Sequence, residues 1–349
     1  MSRALLVAAG GGLGDTLIAS LCVAALRERY DAVDAVTLPA HVDALTHGSG
    51  VGEIFSFLRP PRELARTLRA NDYDAAVVTW ATRRTAMLAY ASGARRRVGQ
   101  ARRLYSSLFT DRVVVRSEDG DVVSHWSEIL LDYPRALGCV TSLQVPHFEL
   151  KDVEHAEAER LLRSLHIAGD FFLVHPTCSA TPHRPRWPLA GWRAIVARIQ
   201  GRYGVPVLVI GAPLDRPFAA EVAMQTGALS VAGRTSVGGF AALARRAGGF
   251  VGMPSGPMHV AAAVGTPTVG VFPLRVDFPQ RWRPLGPRVE VVRNTYPCPP
   301  GRGHRMETCA TYDCIARLDA DGVMRALADV LERSRASLRA GLAGALPRM

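Results

Sequence analysis

Val251-Gly-Met-Pro-Ser-Gly-Pro-Met-His259 continues as Val260-Ala-Ala-Ala-Val-Gly-Thr-Pro-Thr-Val-Gly-Val-Phe272. It reads as a buried strand, a tight Ser-Gly-Pro turn, a helix opening at Pro257-Met258-His259 and a second short strand, Thr268–Phe272. The first N–H groups of such a helix have no partners within it, and the helix dipole adds partial positive charge there. A strand-turn-helix unit of this kind is a ready anion site, which makes a phosphate-bearing ligand the natural candidate. Pro257 suits a first helical position, where a missing N–H costs nothing, and the Ser255 hydroxyl is expected to cap the helix. The same pattern also occurs as a plain connection in α/β proteins.

A second glycine turn lies near the other end of the chain. Leu5-Leu6-Val7-Ala8-Ala9 has the length and apolarity of a buried strand. Gly10-Gly-Gly-Leu-Gly-Asp-Thr16 follows it and leads into the helical pattern Leu17–Arg27. Two separated halves therefore each carry a glycine-turned strand-helix junction.

Working outward, the first half alternates short strands (Ala4–Ala8, Ala35–Leu38, Glu53–Phe57, Ala75–Thr79) with helical runs (Thr16–Glu28, Val42–Thr46, Arg62–Arg69, Arg84–Ser92). Alternation with short connections implies a parallel sheet covered on both faces. Val122–Leu137 is expected as one long amphipathic helix containing His125 and Trp126. The pattern dissolves between Val140 and Asp152 and a helix follows over Glu154–His166. A new alternation then starts: strand Phe171–His175, loop Pro176–Pro188, helix Leu189–Tyr203, strand Val207–Gly211, helix Arg216–Gln225, strand Leu229–Val231, helix Gly239–Arg246 and strand Gly249–Gly252. Asp321–Arg335 reads as a closing helix. A chain of 349 residues is long for one core and suits two doubly wound domains, placed at residues 1–155 and 156–349.

A net charge of +11 is compatible with nucleic acid, an anionic lipid surface or a phosphorylated substrate. Only one of the 42 basic residues is lysine, Lys151, so the arginine excess reflects coding composition as much as function. The arginines are dispersed and no aromatic sheet motif accompanies them, which argues against nucleic acid. No uncharged apolar run of about 20 residues is present, and Met1-Ser-Arg enters the first strand without the arrangement of a secretory signal. A cytoplasmic protein is the expectation. Cys298, Cys309 and Cys314, with His304 between them, hold enough thiols and imidazole for a tetrahedral metal site, but their spacing fits no common zinc pattern. Ordinary thiols in a Pro/Gly-rich loop are the alternative.

Taken in order, these motifs resemble glycosyltransferase family 9, the heptosyltransferases of bacterial lipopolysaccharide core synthesis. The matching residues are Gly14-Asp15, Tyr73-Asp74, Arg97-Val-Gly99, His175-Pro-Thr177 and Arg186-Trp-Pro188. They continue with Gly233-Arg-Thr-Ser236, Ser255-Gly-Pro-Met-His259 with Ala261-Ala-Ala, and Gly265-Thr-Pro267. The resemblance spans about residues 10 to 270. It implies a GT-B architecture: an N-terminal acceptor domain and a C-terminal nucleotide-sugar domain, two Rossmann-like units facing across a cleft. It also implies a metal- and cofactor-independent displacement with inversion at the anomeric carbon.

By the same resemblance Asp15 is the general base, and a carboxylate within hydrogen-bond reach of an acceptor hydroxyl suits that role. Helix N-capping explains Asp15 equally from the residues alone. Gly14 and Thr16 flank it on the acceptor side. Thr177, Ser179, Arg184 and Arg186, with the turn Ser255, Gly256, Pro257, Met258 and His259, are implied to hold the donor's diphosphate. The chain departs from the family twice. Pro185 stands where the family has lysine two residues before Trp187, and Pro254 stands where it commonly has aspartate. Proline offers neither a side-chain acceptor nor an N–H. The loop Asn294–Cys314 resembles the family's cysteine-rich segment with one of the usual four cysteines missing.

The reading that follows is transfer of a sugar, heptose by family default, from a nucleotide-sugar such as ADP-heptose to a lipopolysaccharide-type or other surface glycan. Peripheral contact with the anionic inner membrane would go with it. A non-catalytic sugar-nucleotide-binding scaffold, or a transferase acting on a protein acceptor, are the alternatives.

Overall fold

The computed structural model describes residues 1–47, 50–141, 145–178, 187–274, 279–296 and 313–344, with side chains described up to Ser334 and not for residues 313 and 314. The chain forms two compact units. The first comprises Met1–Glu149 with Gln280–Trp282, and the second Leu150–Pro279 with Arg283–Met349.

In the first unit the strands are β1 (Arg3–Ala8), β2 (Ala32–Thr37), β3 (Ile54–Ser56), β4 (Ala75–Val78), β5 (Arg96–Gln100) and β6 (Asp111–Val113). The helices are α1 (Leu13–Arg27), α2 (Asp43–Thr46), α3 (Pro61–Ala70), α4 (Arg83–Ala91) and α5 (Trp126–Ala136). All pairings are parallel, in the order β3-β2-β1-β4-β5-β6. Side chains alternate across a strand, so β1 serves two cores at once. Ala4, Leu6 and Ala8 pack with Ile18, Cys22 and Leu26 of α1 and Leu130 and Tyr133 of α5. Leu5 and Val7 pack on the other face with Leu64 and Leu68 of α3 and Ala86 and Ala89 of α4. Burial on both faces is why β1 reads as an unbroken apolar run.

Asp34 is the buried charged residue in this sheet. Its carboxylate accepts from Tyr73 Oη at 2.9 Å, the Arg3 guanidinium at 2.6 Å and the Glu53 N–H at 2.8 Å. Removing the acceptor leaves the buried Tyr73 hydroxyl without a partner. Asp34→Ala is therefore expected to destabilise the first unit by about 2 kcal/mol in urea unfolding.

The second unit repeats the plan with β7 (Phe172–His175), β8 (Val207–Val209), β9 (Leu229–Ser230), β10 (Gly249–Gly252), β11 (Thr268–Phe272) and β12 (Val289–Arg293). Its helices are α6 (Asp152–Ser164), α7 (Leu189–Tyr203), α8 (Arg216–Ala223), α9 (Val237–Arg246), α10 (Gly256–Ala263), α12 (Asp313–Ala316) and α13 (Ala320–Gly344), while residues 280–282 of α11 (Pro279–Trp282) belong to the first unit. The parallel order is β12-β11-β10-β7-β8-β9. Val174, Val209, Val251 and Val269 meet Trp192, Ile195 and Val196 of α7 and Leu327 of α13. Helix α6 docks on α9, where Glu157 accepts from both the N–H and the hydroxyl of Ser236.

Each sheet has the Rossmann order, in which successive strands are added outward in opposite senses on either side of one point while all remain parallel. Ligands of open α/β sheets bind beyond the carboxyl ends of the strands at that switch point. The switch points lie between β1 and β4 in the first unit and between β7 and β10 in the second.

Three short strands, β5, β6 and β12, go beyond the sequence expectation. In β6 and β12 no residue is fully buried, so neither shows the apolar run that marks the central strands. The long helix expected over Val122–Leu137 begins only at Trp126. Asp121 Oδ1 accepts from the Val123 and Ser124 N–H groups at 2.9 and 2.8 Å, and that turn competes with helix. His125 then caps α5, its Nδ1 accepting from the Ser127 N–H at 3.1 Å.

Candidate functional site

At the first switch point β1 runs into Gly10-Gly11-Gly12, and α1 starts at Leu13. Asp15 is the third residue of the helix, and its Oδ2 accepts from the Gly12 N–H at 2.8 Å. The glycines are there for close approach. A Cβ on Gly11 would lie 2.6 Å from the Asp15 carboxylate carbon, and one on Gly10 would lie 2.1 Å from Cδ1 of Trp80. Trp80 itself follows β4, on the other side of the switch point. Burial raises the pKa of Asp15, and the Gly12 N–H only partly offsets it. A base held above the ordinary carboxylate range is better matched to abstracting a proton near neutral pH.

Asp15, Thr16, Thr79, Trp80, Gly11 and Trp126 line a cavity of about 10 Å³, room for one water or one hydroxyl group. Thr16 is buried; its hydroxyl lies 3.2 Å from the Gly12 carbonyl and 3.2 Å from Nδ1 of His41. Burial lowers the His41 pKa, so the ring is neutral. Gly14 is also buried but does not line the cavity.

The second switch point is built around His175, the last residue of β7, which is almost wholly buried. Its Nδ1 lies 3.0 Å from Ser255 Oγ and its Nε2 3.3 Å from Thr177 Oγ1. Burial pushes the His175 pKa down to about 4, against a smaller opposing pull from Asp215. The ring is neutral, with one donor and one acceptor nitrogen. Ser255 donates to the Met253 carbonyl at 3.1 Å. That assigns the proton to His175 Nδ1, facing Ser255, and leaves Nε2 to accept from Thr177.

This network changes the role expected of Ser255. The residue occupies the N-cap position of α10, but its side chain accepts no bond from the helix, because His175 and Met253 engage the hydroxyl. The helix also starts one residue early, at Gly256, which puts Pro257 second rather than first. Its missing N–H still costs nothing there. The first turn of α10 thus has no side-chain cap, which suits an anion.

Met258 is fully buried, and a Cβ on Gly270 of β11 would lie 2.8 Å from its sulfur, so its side chain belongs to the core. His259 is buried in the same turn. The backbone of Pro254 is fixed by the Cys178 thiol, which donates to its carbonyl at 3.2 Å. Ser179, Arg184 and Arg186 lie outside the described residues, as do Cys298, His304, Cys309 and the Cys314 side chain. Trp187, just after that loop, is buried and meets Trp192 edge-on at 5.1 Å.

In the sequence His175 stands only within the motif His175-Pro-Thr177, and neither Trp80 nor Trp126 is marked for the site. A tryptophan directly after the Ala75–Thr79 run was the available signal for Trp80. Its meaning depends on β4 lying beside β1, which the sequence order of strands does not reveal.

The family model described as glycosyltransferase family 9 (heptosyltransferase) matches residues 61–310. No curated protein matches the chain. Among solved structures, a glycosyl transferase family 9 protein from Veillonella parvula is 19% identical with a TM-score of 0.82, covering 95% of this chain and 98% of that one. The E. coli ADP-heptose LPS heptosyltransferase II is 19% identical with a TM-score of 0.76, covering 96% and 100%. The E. coli heptosyltransferase WaaC with ADP is 17% identical with a TM-score of 0.69, covering 94% and 99%. At these identities the likeness is one of fold.

Proposed function

Since this chain belongs to glycosyltransferase family 9 and is a glycosyltransferase, we propose that it transfers a sugar, with inversion, from a nucleotide-sugar donor to a surface-glycan acceptor of the lipopolysaccharide type. ADP-heptose is the family's default donor, and the structural neighbours named above include heptosyltransferases solved with ADP or named for ADP-heptose. The observation that carries the reading is Asp15 at a switch point, beside a cavity that admits one hydroxyl.

In this mechanism Asp15 takes the proton of the acceptor hydroxyl as its oxygen attacks the anomeric carbon. The bond from that carbon to the diphosphate breaks on the opposite side, and the nucleoside diphosphate leaves with the electron pair. Its charge is met by the N–H groups of the Ser255–His259 turn and by the loop carrying Thr177, Ser179, Arg184 and Arg186. His175 keeps Thr177 and Ser255 in register beneath that turn. Pro254 supplies no carboxylate to the donor's sugar, so the donor's identity is the first thing to measure.

Among the described residues no helix is long and apolar enough to cross a membrane. A cytoplasmic enzyme touching the inner leaflet peripherally through its arginine-rich surface fits a lipid-linked acceptor.

Calorimetric titration with ADP, GDP, UDP and dTDP, followed by the matching sugar nucleotides, tests the reading. Selective binding of one diphosphate, and tighter binding of its sugar nucleotide, is the expected result. Absence of binding by all four would overturn donor use and favour a scaffold role.

A further inference from the structure

The cavity beside Asp15 is too small for a sugar ring. At about 10 Å³ it has room for the reacting hydroxyl, and the group that carries that hydroxyl would lie against the residues around it. Two of its lining residues are aromatic. Trp80, 37% exposed, lies directly on the Gly10 backbone. Its ring meets Trp126 edge-on, with centroids 6.0 Å apart, and Trp126 packs in turn on Trp282 at 5.2 Å.

The main chain beneath is pinned on both sides. Thr85 Oγ1 donates to the Trp80 carbonyl at 3.1 Å, and Tyr105 Oη donates to the Ala81 carbonyl at 2.6 Å. The indole is thus a rigid half-open plate, and a rigid plate binds with little loss of conformational entropy. The indole N–H of Trp126 is buried and has no hydrogen-bond partner among the described residues. Among the described residues Asp15 is the only charged one lining the cavity, and it carries negative charge when acting as a base. That combination disfavours an anionic group at the reacting end and favours a neutral, hydroxyl-bearing ring with an apolar C–H face.

We propose that Trp80, backed by Trp126, is the platform on which the acceptor's terminal pyranose stacks, which makes the acceptor an uncharged glycan end rather than a phosphorylated sugar or a protein side chain. The assignment rests on the glycosyltransferase reading and on Asp15 as base, and adds the substrate class on the acceptor side.

Saturation-transfer NMR with a panel of neutral methyl pyranosides at millimolar concentration, in the presence of the diphosphate that titration selects, tests it. The wild-type protein is expected to transfer saturation to the ring C–H protons of at least one pyranoside. Trp80→Ala should lose that signal by about tenfold and Trp80→Phe should retain most of it, both melting within a few degrees of wild type. A hydroxyl-bearing serine peptide should give no signal.

Two results overturn the platform: no pyranoside bound by the wild-type protein, or equal signals from wild type and Trp80→Ala. Diphosphate binding that survives either result keeps the glycosyltransferase reading standing while this one falls. If Trp80→Ala proves misfolded, Trp80→Leu replaces it, because leucine keeps bulk over Gly10 and removes the aromatic face.

Discussion

Asp15→Asn is expected to lower turnover by about 10²- to 10⁴-fold, the usual contribution of a positioned general base, while diphosphate affinity and melting temperature stay near wild type. The substitution separates two roles that coincide in this residue. The amide oxygen of the variant side chain can still accept from the Gly12 N–H, which Asp15 holds at 2.8 Å, so the helix end keeps its bond and only the proton acceptor is lost. Asp15→Ala removes both, and should cost about 1 kcal/mol of stability in addition to the same fall in rate. If Asp15→Asn turned over like wild type and only the alanine variant melted early, Asp15 would be a cap and nothing more.

The pH profile gives an independent reading of the same group. Burial holds the Asp15 pKa above its ordinary value of 3.8. The residue must be ionised to act, so kcat/KM should fall as pH drops through that raised value. The acid limb therefore lies above the normal carboxylate range and is absent from the residual activity of Asp15→Asn.

Acid is expected to weaken the second unit through His175, by about 3 kcal/mol between pH 6.5 and pH 4. The sign follows from where the proton binds. In the unfolded chain the imidazole takes it up near pH 6.5, whereas in the folded protein burial delays uptake to about 4. Between those values the unfolded state binds more protons, so stability is full above pH 6.5 and declines as pH falls toward 4.

Protonation would also place a donor on both ring nitrogens. Thr177, whose hydroxyl donates to Nε2 in the neutral arrangement, would have to turn its proton away. His175→Gln supplies the comparison, because its amide can donate to Ser255 and accept from Thr177 without titrating. Urea unfolding at pH 7 and pH 5 should show a clear loss for wild type and a smaller one for the variant. Equal losses would mean that other groups, not His175, set the acid response.

Much of the fold was legible in the residues because central parallel strands are buried on both faces. Leu5-Leu6-Val7 and Phe172-Leu173-Val174 must then be continuous apolar runs, and the glycine turns after β1 and around Ser255 mark where each chain reversal meets a helix. Two strand-helix alternations separated by an irregular stretch indicated two doubly wound units, and Asp15 was visible as a carboxylate at the opening of a helix. Two of the four edge strands, β6 and β12, were not legible. Asp111–Val113 and Val289–Arg293 are half exposed, and a mixed polar pattern of three to five residues is common to strand and loop.

What only the tertiary structure decided is which turns share a site. Strand order is a long-range property: it places β4 beside β1 and β10 beside β7 although about 70 residues separate each pair, and no local pattern encodes that adjacency. It brings Trp80 over Gly10 and Asp15, and it sets Ser255 on His175, so that the hydroxyl expected to cap α10 is instead held by an imidazole from another strand. Propensity and periodicity act within a few residues of one another. The residues proposed for the chemistry lie where two distant segments meet, and the packing of the sheets chose those meetings.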